Sequence, residues 1–80
     1  MELTEIYARL TKVFHEVFDD DAIVASPELT ASDVEEWDSL RHIRLILSVE
    51  KAFQIRFSTS EISNLKNVGE FASVIQSKVK

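Results

Sequence analysis

The sequence predicts an all-α protein, a four-helix bundle with three main helices, one short helix and a long loop between the first two helices. Apolar residues recur at spacings of three and four in three segments, as they do along one face of a helix. The 80 residues include one glycine and one proline, too few for the tight turns of a sheet. There is no cysteine to form a disulfide, so a compact helical core is the simplest way to stabilise a chain of this size. We therefore expect one domain over residues 1–80.

The first main helix is predicted over residues 3–18, followed by a long connection over residues 19–37. The helix is indicated by apolar residues at spacings of three and four, namely Leu3, Ile6, Leu10, Val13 and Val17. The connection contains Ser26-Pro27, and a residue before proline disfavours the helical conformation. Loops of more than about 12–15 residues are uncommon in compact domains and are often functional. A short helical turn is expected near residues 32–36.

The helical pattern returns from Asp38 to about residue 53 and predicts the second main helix, with Asp38 as its N-cap, because a carboxylate can accept hydrogen bonds from the first turn. Its apolar stripe is wide, which predicts a central and largely buried helix. The stripe comprises Leu40, Ile43, Leu45, Ile46, Leu47, Val49 and Phe53.

The remaining chain predicts an extended piece over residues 54–57, a short helix and a last main helix. Ser58 followed by Glu61 is a capping-box pattern, which places the short helix at residues 59–65. Asn67 is a second predicted N-cap, because Glu70 follows it by three residues as Glu61 follows Ser58. The last helix is predicted from its apolar residues Val68, Phe71, Ile75 and Val79.

A candidate functional residue, Ser39, lies where the long loop meets the second helix. At the first turn of a helix, unpaired backbone N–H groups and the positive end of the dipole favour an anion. A phosphate ester on the Ser39 hydroxyl oxygen would be stabilised there. Leu40 is expected to anchor this turn in the core and to hold Ser39 outward. Taken alone, a serine at the start of a helix is usually an ordinary capping residue.

The second helix and the residues on either side of it contain three notable segments: Glu-Trp-Asp-Ser-Leu-Arg-His-Ile at residues 36–43, Val49-Glu50, and Phe53-Gln54-Ile55. Together they resemble the signature of acyl carrier proteins. The resemblance extends over essentially the whole chain and is sharpest over residues 33–57. It implies a four-helix bundle of the acyl-carrier-protein type, with no enzymatic activity of its own.

The resemblance also implies a cofactor. Ser39 would receive 4′-phosphopantetheine from coenzyme A by a phosphopantetheinyl transferase, with Asp38 and Leu40 as recognition and capping neighbours. The thiol of the arm would carry acyl groups as thioesters in fatty-acid, polyketide or related biosynthesis. By the same analogy an apolar cleft beside the second helix would hold the acyl chain. Its expected lining residues, each equally well explained as core, are Ile43, Ile46, Val49, Phe57, Ile62 and Phe71.

The expected partners, besides the transferase, are acyl-loading and acyl-processing enzymes that dock on the second helix and the loop before it. We expect no membrane span, because no apolar run approaches about 18 residues. We also expect the protein to be a cytoplasmic monomer. The formal net charge of −5 argues against nucleic-acid binding. With two histidines far apart and no cysteine, no metal centre is expected.

The second helix departs from the family pattern in its charge. Carriers of fatty-acid synthesis typically have an acidic second helix that docks on basic enzyme patches, whereas the expected exposed stripe of this helix carries Arg41, Arg44 and Lys51. One hypothesis is a specialised carrier with different partners, in which changing Arg41 and Arg44 to glutamate would improve charging by fatty-acid enzymes. The alternative is that surface charge has drifted without consequence.

The aromatic and histidine side chains near the site have simpler interpretations. Trp37 could pack on the arm or on a docking enzyme, but we expect it to plug one end of the bundle. His42 lies about one turn after Ser39 and could contact the phosphate, but it is expected to be a half-exposed surface residue. His15 on the first helix is also expected at the surface.

Two other functions stay open. An aminoacyl or peptidyl carrier usually shows Gly-Gly-His/Asp-Ser before the helix, which Glu36-Trp37 does not match. An unmodified helical adaptor that docks through its second helix would need no chemistry at Ser39. An enzyme is disfavoured, since the sequence assigns no histidine and carboxylate pair to Ser39 and so small a bundle leaves little room for a substrate pocket.

Overall fold

The computed structural model describes residues 1–34, 37–63 and 65–79, and the regular secondary structure of these residues is entirely helical. The all-α prediction is therefore confirmed. The first main helix packs against the second and against the last. No helix in the described residues is long and apolar enough to cross a membrane. The elements are α1 (Leu3–Phe18), a 3-10 turn (Ala31–Asp33), α2 (Ser39–Phe53), α3 (Thr59–Ser63) and α4 (Val68–Lys78).

The helix boundaries agree closely with those expected. The helix α1 begins and ends at the predicted residues, and α2 begins directly after its predicted N-cap and ends at residue 53, whereas α3 ends at Ser63 and not at residue 65. The turn in the long loop spans Ala31–Asp33 and so overlaps the start of the predicted segment. Glu35, Glu36 and Asn64 lie outside the described residues.

The core lies where α1, α2 and α4 meet, and Phe14 is at its centre. Phe14 is fully buried, and its ring makes edge-on contacts with Phe18 at 5.9 Å and with Trp37 at 5.6 Å between centroids. Contacts of this kind add to the free energy gained from burying the rings. The start of α2 is thus joined to the core through Trp37.

The prediction of a largely buried α2 was wrong. Leu45, Ile46, Val49 and Phe53 are buried, but three other apolar residues of the helix are more than half exposed. Their side chains lie on the opposite side of the helix, over which the described part of the chain places no other element. These residues are Leu40, Ile43 and Leu47, exposed by 66%, 57% and 60%.

The long loop is attached to α1 by side chains of that helix. The backbone N–H of Ala25 donates to Oγ1 of Thr11 at 3.0 Å. Nε2 of His15 donates to the carbonyl oxygen of Ile23 at 2.8 Å. The expectation that His15 is simply a surface residue was therefore wrong, because its half-buried ring holds the loop against α1.

The loop also caps α4. The backbone N–H groups of Val68 and Gly69 donate to the carbonyl oxygens of Leu29, at 2.8 Å, and Pro27, at 3.1 Å. These N–H groups have no partner within their own helix. The loop thus closes over α4 through hydrogen bonds between segments about forty residues apart.

This close approach requires the only glycine of the chain. A Cβ atom at Gly69 would lie 3.0 Å from the carbonyl oxygen of Pro27 and 3.2 Å from its Cα. Gly69→Val is expected to lower the free energy of unfolding by roughly 1–3 kcal/mol, since the branched side chain would push the loop off α4. Urea denaturation followed by circular dichroism measures the loss. Ser73→Val, at an exposed position of α4, is the control; equal losses in both variants would contradict the prediction.

The predicted capping box of α3 is confirmed. The backbone N–H of Ser58 donates to Oε1 of Glu61 at 2.8 Å, and the backbone N–H of Glu61 donates to Oγ of Ser58 at 3.3 Å. Nζ of Lys78 lies 3.0 Å from Oε1 of Glu61, which ties α3 to α4. The hydrogen bond from the Ser58 backbone, together with that from Lys78, holds the pKa of Glu61 below its usual value.

Candidate functional site

Ser39 is the first residue of α2, and its side chain is exposed. The preceding Asp38 has an extended backbone and is the N-cap, as predicted: its Oδ1 accepts the backbone N–H of Arg41 at 2.8 Å. The Asp38 carbonyl oxygen accepts the backbone N–H of His42 at 2.9 Å. The Ser39 hydroxyl makes no hydrogen bond within the described part of the chain, so it is available for modification.

The electrostatics at Ser39 favour an anion. Asp38 satisfies the N–H groups of Arg41 and His42, whereas those of Ser39 and Leu40 make no hydrogen bond to any described residue. These two N–H groups and the helix dipole place partial positive charge at the start of α2. A phosphate group on the Ser39 oxygen would gain about 0.3–1 kcal/mol from this position.

The Asp38 cap can be tested separately from any modification. Asp38→Ala is expected to lower the free energy of unfolding by about 1 kcal/mol, because the N–H of Arg41 loses its acceptor. Asp38→Asn retains an acceptor and should change stability much less. Urea denaturation of both variants measures this difference, and equal losses would contradict the role of the side chain as a cap.

Leu40 does not anchor the first turn in the core as predicted, since 66% of it is exposed. Trp37 performs that role. Its ring lies 5.6 Å from the rings of both Phe14 and Phe18, which agrees with the expectation that it plugs the end of the bundle. Trp37 lies two residues before Ser39, so these aromatic contacts hold the start of α2 against the core.

Trp37 is also paired with His42, which is half-buried. Nε1 of Trp37 donates to Nδ1 of His42 at 3.1 Å, and the two rings are stacked at 25°. Because Nδ1 accepts a hydrogen bond, a neutral His42 carries its proton on Nε2. The sequence did not indicate this pairing, which joins the end of the loop to the second turn of α2.

Two concave regions adjoin this pair. An open one, the outer groove, lies directly beside Ser39, and a smaller one of about 70 Å³, the inner cavity, lies between α2 and the chain that joins α3 to α4. Both are bordered by Ala31, Trp37 and His42, so these residues lie where the two regions adjoin. The outer groove is completed by Asp38, Ser39 and Ile43, and the inner cavity by Leu65, Lys66, Asn67, Val68 and Phe71.

Of the six residues expected to line an acyl cleft, the structure brings two to these regions. Ile43 borders the outer groove and Phe71 the inner cavity. The others pack in or against the core, and they are Ile46, Val49, Phe57 and Ile62. The lining residues that sequence reasoning missed come mainly from the loop and from residues 65–67, where no helical periodicity indicates a common face.

The charged side chains of α2 are not equivalent. Arg41 is half-buried, and its Nη1 donates to the carbonyl oxygen of Val17 at 3.1 Å, near the end of α1. The expectation that Arg41 lies on the exposed stripe was therefore wrong. Arg44 and Lys51 are exposed as expected. The one acidic residue of α2, Glu50, is half-buried, and its Oε2 accepts the backbone N–H of Phe57 at 2.8 Å.

Comparisons with known proteins find chains that are similar in sequence and in structure. The chain is 30% identical to the acyl carrier protein of Acidothermus cellulolyticus over 71 residues, which are 89% of this chain and 84% of that protein. It superposes with a TM-score of 0.86 on the solution NMR structure of a holo acyl carrier protein from Geobacter metallireducens. That pair is 44% identical, over 91% of this chain and 84% of the other. No protein-family model matches the sequence.

Proposed function

Because the chain belongs to the acyl carrier protein family, we propose that it carries acyl groups as thioesters on a 4′-phosphopantetheine arm esterified to the hydroxyl of Ser39. The observation that supports this most directly is the exposure of that hydroxyl on the first residue of α2, beside two backbone N–H groups without a partner among the described residues. The arm supplies a thiol, which the cysteine-free chain does not have.

The residues around Ser39 fit the phosphate of the arm. The start of α2 favours a negative charge at this oxygen, whereas the same group in the middle or at the end of a helix would be repelled. Asp38 caps the helix through Arg41 and leaves the N–H groups of Ser39 and Leu40 for the phosphate. The exposure of Leu40 makes this side chain available for recognition by the transferase.

The outer groove and the inner cavity are the proposed surfaces for the cargo. The outer groove begins at Ser39, and the inner cavity beyond Trp37 and His42 has apolar walls that include Val68 and Phe71. An acyl chain that folds back from the arm would bury apolar surface there. The chain itself performs no reaction in this proposal. Enzymes of fatty-acid, polyketide or related biosynthesis would act on the thioester while docked at α2 and the preceding loop, in the cytoplasm.

A loading assay tests the proposal. The protein is incubated with coenzyme A and a broad-specificity phosphopantetheinyl transferase, and its intact mass is measured. We expect a gain of one phosphopantetheine, located on Ser39 by fragmentation of the peptide that contains it. The reaction without transferase is the control. An unchanged mass with several transferases would contradict the proposal and favour the unmodified helical adaptor.

A further inference from the structure

The exposed side of α2 combines aliphatic and cationic side chains in one stripe. Leu40, Arg44, Leu47 and Lys51 follow one another at spacings of four, three and four, and Ile43 lies beside them. At 3.6 residues per turn these five residues fall within an arc of about 100°. We call them the α2 outer face. It lies directly opposite the buried side of the helix.

The aliphatic residues of this face belong neither to the core nor to the residues packed against it. Leu40, Ile43 and Leu47 are 57–66% exposed, whereas the core residues of the same helix are at most 7% exposed. Three large aliphatic side chains on the outermost line of a 15-residue helix form a contiguous apolar surface. Such surfaces on small proteins mark sites of interaction.

The charge of the face is opposite to that of the whole chain. The formal net charge of the protein is −5, yet Arg44 and Lys51 are the charged residues of the face. Glu50 does not neutralise them fully, because it is half-buried and its Oε2 accepts the N–H of Phe57. The exposed Arg56 continues the cationic surface along a shallow groove beyond Leu47 and Lys51. A complementary partner therefore presents carboxylates around an apolar depression.

The position of the face indicates which kind of partner this is. Leu40 is adjacent to Ser39, and Ile43 also borders the outer groove. A protein bound there would have the end of the arm within reach of its own active site. An anionic membrane is disfavoured, because it would repel the remaining acidic surface. A second copy of the chain, with the same net charge, is disfavoured for the same reason.

We infer that the α2 outer face docks enzymes whose carrier-binding surface is an apolar depression rimmed by acidic side chains. The inference rests on the proposed function and specifies the chemistry of the partner. Arg44 and Lys51 select the partner by charge, and Leu40, Ile43 and Leu47 supply the buried contact. Arg41 contributes less to this selection than the sequence indicated, because its guanidinium is engaged with the end of α1.

A charge-swap experiment tests the inference. The probes are two transferases. The basic-surface parent is a phosphopantetheinyl transferase with a basic carrier-binding surface. The acidic-surface transferase is a variant of this parent in which two cations of that surface are changed to glutamate. We expect the acidic-surface transferase to load the wild-type chain with the higher kcat/KM. The double variant Arg44→Glu/Lys51→Glu should prefer the basic-surface parent, with a change in preference of roughly tenfold that shrinks at high salt. Arg9→Glu/Lys12→Glu on α1 makes the same change in net charge and should not alter the preference.

The outcomes separate the two proposals. If no transferase loads the wild-type chain, the proposed function fails. If loading occurs but the preference does not change with the charges, the inference about the α2 outer face is overturned while the proposed function stands. Leu47→Gln should lower kcat/KM several-fold with an unchanged melting temperature, and an unchanged kcat/KM would count against the apolar contact. A wild-type dimer that Leu47→Gln dissociates, or binding to phosphatidylglycerol vesicles, would also overturn the inference.

Discussion

Ser39→Ala is expected to abolish phosphopantetheine loading completely, because it removes the one oxygen to which the proposed arm is esterified. The substitution should leave stability within about 0.5 kcal/mol of the wild type, since the side chain is exposed and makes no hydrogen bond in the described residues. Intact mass after incubation with coenzyme A and transferase measures loading. Thermal unfolding by circular dichroism shows that the fold is retained.

Ser48→Ala is the matched control for this experiment. Ser48 lies on the same helix but in its interior, away from the N–H groups without helical partners at the start of α2. Its replacement should leave loading at the wild-type level. Full loading of Ser39→Ala would place the attachment on another hydroxyl and would remove the basis of the proposed function.

Phe14→Ala is expected to lower the free energy of unfolding by about 3–5 kcal/mol. Phe14 is fully buried, and its ring contacts Phe18 and Trp37, so its loss leaves a cavity between the core and the start of α2. Domains of this kind are stable by roughly 5–15 kcal/mol in total, so the variant should be partly unfolded at moderate temperature. Urea denaturation followed by circular dichroism at 222 nm measures the loss.

Phe14→Leu is the control, because it keeps an apolar side chain and should cost clearly less than the alanine variant. Trp37 is the only tryptophan of the chain, so its fluorescence also reports on the start of α2. We expect its emission to shift to longer wavelength in Phe14→Ala before the helices are lost. A loss of less than 1 kcal/mol in Phe14→Ala would contradict the central position assigned to this ring.

Much of the site could be predicted because it depends on neighbours in the chain. Asp38 caps α2 through the N–H of Arg41, three residues away, and Ser58 and Glu61 cap each other over the same separation. Ser39 follows its cap directly and therefore lies at the electropositive end of a helix. Such interactions span less than one turn, so the order of residue types predicts them.

The predictions that were wrong concern contacts between residues more than two helical turns apart in the chain. The sequence alone determined the helices, their caps and the position of Ser39, because spacing and capping act within four residues. Only the tertiary structure decided that α2 buries one half of its apolar residues and exposes Leu40, Ile43 and Leu47. It also decided that His15 donates a hydrogen bond to the long loop and that Arg41 donates one to the end of α1. A helix with apolar residues on both sides contains no local information about which side its neighbours will cover, because that depends on how α1 and α4 pack against it.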